Sequence, residues 1–140
     1  MKKSLYLLAI TTFMMVSSCQ KGPAEMKFTE KEFDFGQIKA GEKVDHTFKF
    51  TNSGANALLI SDAKGSCGCT VPEYTKDSIM PGESGQIKVI FNSAGKKGKQ
   101  EKSVTLTTNT KEGVEILVIK GEVIPQSGVV APASIPTQTK

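Results

Sequence analysis

Arginine and tryptophan are absent from this chain, and histidine occurs once. Each gap removes a class of function. Without the guanidinium fork, the bidentate grip on phosphates and guanine edges is missing, and the lysines are dispersed among acids. The one local cluster, "GKKGKQEK" at 95–102, reads as a solvated Gly/Lys loop. No nucleic-acid partner is expected. With His46 the only histidine, a serine or cysteine triad would have to use it, and no nucleophile elbow occurs. "SGQIKV" and "AGKKGK" lack the spacing of phosphate loops. Acid pairs such as Glu30 and Glu32 read as a solvated strand face. No small-molecule substrate is evident, and the chain is not expected to be an enzyme, thiol redox chemistry set aside.

Cysteine is scarce too, and the three present divide into one and two. The chain opens "MKKSLYLLAITTFMMVSSCQKG". Lys2 and Lys3 form a positive n-region, residues 5–16 are uncharged and mostly apolar, and Ser17-Ser18 precede Cys19. This is a secretory signal whose apolar core is too short to span a bilayer, and no other stretch is long enough. Small residues ending at a cysteine resemble a bacterial lipobox, although Val16-Ser17-Ser18-Cys19 departs from the commoner Leu-led form. The resemblance implies cleavage before a diacylglycerol-modified Cys19, so residues 1–18 are the signal peptide. Each buried methylene contributes about 0.8 kcal/mol, so the two or three chains of a mature lipoprotein anchor it stably where one would not. Gln20 and Lys21 do not form the acidic run that resembles a surface-export signal. The expected address is the cell envelope, tethered to a membrane and facing the periplasm.

Removing residues 1–18 with their two lysines leaves 122 of 140 residues and lowers the formal charge from +4 to +2. That length supports one domain with a core. Residues 19–25 form a lipid-anchored polar spacer, and 26–124 carry short apolar runs cut by Gly, Asn and Pro. Residues 125–140 form a Pro/Ser/Thr tail with no acid and no aromatic, expected to be disordered.

Helical periodicity is also missing; the period within 26–124 is two. Val44, His46, Phe48 and Phe50 alternate with polar residues, as do Ile87, Val89 and Phe91, and Val104, Leu106 and Thr108. "EFDFG" offers Phe33 and Phe35, and "ALLISDA" offers Leu58 and Ile60. Ile116 to Ile119 is continuously apolar and predicts a strand covered on both faces. Turn signals at 52–56, 80–84 and 109–113 separate strand candidates, and Pro81-Gly82 suits the centre of a type II turn. The expectation is all-β: an immunoglobulin-like antiparallel sandwich of about seven strands without the inter-sheet disulfide.

The ordered pieces "FDFGQIKAGE", "FKFTNSG" with "LLI", "CGCT", "PGESGQIKVIF" and "IKGEV" resemble a bacterial domain-of-unknown-function family, DUF1573, over roughly residues 28–124. The resemblance implies an exported or lipid-anchored protein of the kind frequent in Bacteroidota. It also implies a sandwich similar to major-sperm-protein and ciliary Ig-like domains. It brings no established activity and no catalytic residues.

Cys67 and Cys69 are the candidate thiol pair. In an extended strand their alpha carbons would be about 6.6 Å apart, the outer limit for a disulfide, so a bond needs a bent backbone. Gly68 and Gly65 supply the freedom to bend. A redox centre is allowed in an exported protein, and a small ring would be easily reduced. Copper or zinc would need further ligands than two thiolates, and only His46, Met26 and Met80 are on offer. No cofactor is expected; packing of two small apolar side chains accounts for the pair more simply. The expected function is a membrane-anchored, non-enzymatic Ig-like module for contact with an unknown envelope protein or for structural support. Thiol redox or copper/zinc handling at Cys67 and Cys69 is the alternative.

Overall fold

Except for Thr29-Glu30-Lys31 between the first two strands, every connection between successive strands contains a glycine, proline or asparagine. The computed structural model describes residues 22–126 and places eight strands in them. These are β1 (Met26–Phe28), β2 (Glu32–Lys39), β3 (Lys43–Asn52), β4 (Ile60–Gly65), β5 (Thr70–Tyr74), β6 (Ser84–Asn92), β7 (Gly98–Thr108) and β8 (Val114–Ile124). Cys19, the signal at 1–18, residues 20–21 of the spacer and nearly all of the tail lie outside the described residues.

Two four-stranded sheets face each other, ordered β1-β3-β6-β5 and β2-β8-β7-β4. The alternating side chains named above meet between them. Phe48, Phe50, Ile87, Val89, Phe91, Val104 and Leu106 are all at most 1% exposed. The all-β immunoglobulin-like sandwich is thus what the period of two implied. Three particulars differ. The strands number eight, β2 runs parallel to β8, and Ile116 is 54% exposed. In β8 only Leu117, Ile119 and Val123 are buried, so the apolar run is one buried face plus an uncovered stripe.

Strand register defines two poles. At the N-terminal pole Met26 pairs Asn52, Thr51 pairs Ser84 and Thr107 pairs Val114. At the opposite pole Lys43 pairs Asn92, Gly98 pairs Val123 and Lys39 pairs Ile124. Buried polar side chains lock the loops at each. Asn52, fully buried, donates to the carbonyls of Asn56 and Ile79, both at 2.8 Å, and accepts from Gly54 N. Ser93 donates from one hydroxyl toward the carbonyls of Lys39 and Glu42. The Pro81-Gly82 turn forms as expected, with Gly82 at φ 83° and Glu83 N bonded to Met80 O.

Candidate functional site

The two cysteines sit where the chain changes sheets. β4 is an edge of one sheet and β5 an edge of the other, and residues 66–69 turn the corner between them. Each neighbour pins the corner by main-chain bonds. Ser66 N donates to Ser103 O at 2.8 Å, Asn92 N donates to Cys69 O at 2.9 Å, and Thr70 N closes a turn on Cys67 O at 3.2 Å. The turn shortens the Cys67–Cys69 alpha-carbon distance to 5.3 Å, and the two sulfurs are joined as a disulfide. Both cysteines are half-buried, Cys69 packs against the core, and Gly68 between them is exposed. The Thr70 hydroxyl, on a buried side chain, lies 3.6 Å from Cys67 Sγ and 4.0 Å from Cys69 Sγ. A disulfide sulfur has no proton, so the hydroxyl is the donor in both contacts.

Of the two glycines that the sequence offers for the bend, Gly65 is the constrained one. A β-carbon there would lie 2.3 Å from Thr70 O, whereas at Gly68 it would meet nothing within 4 Å. Gly65→Ala is therefore expected to cost about 1–3 kcal/mol, because backbone must shift to accommodate the methyl. Gly68→Ala should stay within about 0.5 kcal/mol. Equilibrium denaturation of the two variants checks the contrast; equal midpoints would refute it.

The disulfide encloses only residues 67–69, so the chain-entropy account gives it roughly 1.6 kcal/mol. Reduction is expected to leave the domain folded, with a small fall in denaturation midpoint. Collapse of the fold on reduction would contradict this.

The other residues weighed as ligands are dispersed. His46, on β3, stacks on Phe33 at 3.7 Å between centroids, meets Phe48 edge-on at 4.7 Å, and bonds Glu30 Oε1 through Nε2 at 2.9 Å. Met26 is buried in the core, and Met80 is exposed in the turn at the N-terminal pole. Neither they nor His46 join the cysteines. Among the described residues no group of three or more His, Cys, Asp or Glu side chains is placed to hold a metal ion.

A second concavity escaped sequence reading. A cleft of about 440 Å³ runs along the outer face of β2, β8 and β7, between Asp34, Gln37, Lys99, Lys120 and Glu122. Its floor is backbone at Gly36 and Gly121. Phe35 lies over Gly121, where a β-carbon would come within 2.3 Å of its ring. Gln37 bonds Glu122 at 2.8 Å, and Lys120 pairs Glu32 at 2.8 Å. The hydrogen bond to Glu32, then the attraction of that carboxylate, hold the Lys120 ammonium above its ordinary range. Both side chains reach solvent, so the pair is screened by water. The only sequence signal for this cleft was Gly36 inside a strand, which marks a bulge: the β2–β8 register shifts between Asp34 and Gln37.

Two four-stranded sheets packed face to face, with no helix among the described residues, define an immunoglobulin-like β-sandwich. Within that class the chain belongs to the family described as protein of unknown function (DUF1573), whose model matches residues 26–123. No curated protein matches it. Among solved structures it is similar to a protein of unknown function from Porphyromonas gingivalis W83, with TM-score 0.61 and 18% identity. That match covers 80% of this chain and 51% of the other, so this chain spans about half the length of that relative. It is also similar to the ASH/PapD-like domain 7 of human CEP192, with TM-score 0.56, 10% identity, and 89% and 97% coverage. VesB protease of Vibrio cholerae shares the sandwich over 71% of this chain and 32% of its own, with TM-score 0.55 and 20% identity. At these identities the likeness is one of fold.

Proposed function

We propose that the chain is an envelope lipoprotein, held to a bilayer by acylated Cys19 and facing the periplasm, that presents a non-enzymatic immunoglobulin-like module to another envelope protein or as structural support. What supports this is the use to which its buried polar groups are put. Asn52, Ser93, Thr108 and Thr110 are each hydrogen-bonded to loop backbone or to one another. Catalysis needs converging groups free to meet a substrate, and these are committed to shape. The test is metabolic labelling with an alkyne fatty acid. Wild type should take the label and fractionate with membranes, and Cys19→Ala should lose both properties. An unlabelled wild type overturns the reading.

One observation favours a second reading. The disulfide at Cys67 and Cys69 lies half-exposed at a corner, within reach of a thiol, so thiol exchange is chemically available. A Cys67→Ala/Cys69→Ala variant that folds, stays at the membrane and keeps its cellular role removes it; loss of that role with the fold intact would favour it.

A further inference from the structure

We infer that the N-terminal pole of the sandwich rests against the bilayer surface, so that the disulfide corner and the lysine-rich opposite pole point away from the membrane. The inference rests on the lipid anchor proposed above and adds an orientation to it.

The first observation is how soon after Cys19 the fold begins. Asn56 Nδ2 donates to Gly22 O at 2.6 Å, Ala55 N to Pro23 O at 3.2 Å, and Ser53 N to Glu25 O at 3.0 Å. Ala24 is 3% exposed and bridges Thr110. A β-carbon at Gly54 would lie within 2.8 Å of the backbone of Glu25, Pro23 and Ala24, so the segment is seated tightly. From Cys19 to Gly22 is three residues, which reach at most about 11 Å. Residues 22–25, expected from sequence to be spacer, are part of the domain.

The second observation is independent of the tether. Of the five large apolar side chains left exposed among the described residues, Leu59, Met80 and Val114 sit at the N-terminal pole, with Ile116 one outward position further along β8; the fifth, Val71, lies on β5 toward the other end. Such side chains suit the boundary of headgroups and acyl chains. Two of that pole's carboxylates are already engaged, Glu83 with Met80 N and Glu25 with the Ser53 hydroxyl. The two loops of the opposite pole are hydrophilic: residues 39–43 and 92–99 hold Lys39, Lys43, Lys96, Lys97 and Lys99 against Glu42. Asn92, bonded to Cys69, puts the disulfide corner at that end.

Full-length acylated protein in phosphatidylethanolamine vesicles carrying a headgroup nitroxide tests this. Glu112→Cys and Lys97→Cys, both at exposed positions, are each labelled with a maleimide fluorophore. The ten steps from Val114 to Ile124 along β8 set the poles about 33 Å apart, so quenching at position 112 should exceed that at 97 about fivefold. Ten Gly/Ser residues inserted between Lys21 and Gly22 should bring that ratio toward one. Equal quenching in the uninserted chain, with mass spectrometry showing acyl groups on Cys19, overturns the orientation and leaves the anchor standing. A ratio unchanged by the insertion overturns the role given to the short tether. Absence of acyl groups removes the anchor, and this inference with it.

Discussion

Asn52→Asp is expected to destabilise the domain by about 3 kcal/mol or more, although it changes one atom's identity and hardly any volume. The asparagine amide donates to two carbonyls, those of Asn56 and Ile79, from a fully buried position. Aspartate keeps the acceptor that receives Gly54 N but replaces both donors with a charged oxygen facing two carbonyl oxygens. Both carbonyls lose their partner, and a charge is left where water does not reach. Asn52→Ala should cost somewhat less, about 2–3 kcal/mol, since it strands polar groups without burying a charge. Urea denaturation of the three proteins orders them, and a midpoint for the aspartate variant equal to wild type would refute the account. The same substitution should loosen residues 22–25, because Asn52 Oδ1 also faces Glu25 N at 3.4 Å. Faster amide exchange there, with slow exchange kept in β6 and β7, would show that Asn52 couples the tether to the sandwich.

Asn52 was visible in the sequence only as part of a turn signal, and the reason is general. Periodicity reports which face of a strand is buried, so Phe48, Phe50, Ile87, Phe91 and Leu106 could be placed in the core from alternation alone. It says nothing of a polar side chain whose partners are loop carbonyls 4 and 27 residues away. β1 is three residues long, too short for a period to register, and β5 contains Pro72, which argues against a central strand. An edge strand tolerates proline, and β5 is at an edge. Ile116 misled because a continuous apolar run is read as covered on both sides, whereas the outer face of β8 at that point has no element over it among the described residues. The parallel pairing of β2 with β8 is a property of topology that no local pattern carries. Of the candidate site, the cysteine pair was plain in the sequence. Its position at the change of sheet was not, because that depends on β4 and β5 belonging to different sheets.

Phe50→Ala is expected to remove about 3–5 kcal/mol, and Gly85 opposite it shows why the site is exacting. Phe50 is 1% exposed, pairs Gly85 across β3 and β6, and tilts against Phe28 at 5.5 Å between centroids. A β-carbon at position 85 would come within 2.3 Å of Phe50 Cζ. The tip of the ring therefore lies against bare backbone, and the strand does without a side chain there so that the aromatic can fill the space. Gly85→Ala alone should cost about 1–3 kcal/mol, since a buried ring has no free rotamer into which to retreat. For a folded region of about a hundred residues, the phenylalanine deletion corresponds to a fall in Tm of more than about 12 °C. The two losses should not add. In Phe50→Ala/Gly85→Ala the new methyl projects into the vacated volume, so the double variant should be more stable than the sum of the singles predicts by about 0.5–3 kcal/mol. Thermal and urea denaturation of the four proteins close the cycle. Additivity within about 0.5 kcal/mol would mean that contact with the ring is not what excludes a side chain at position 85.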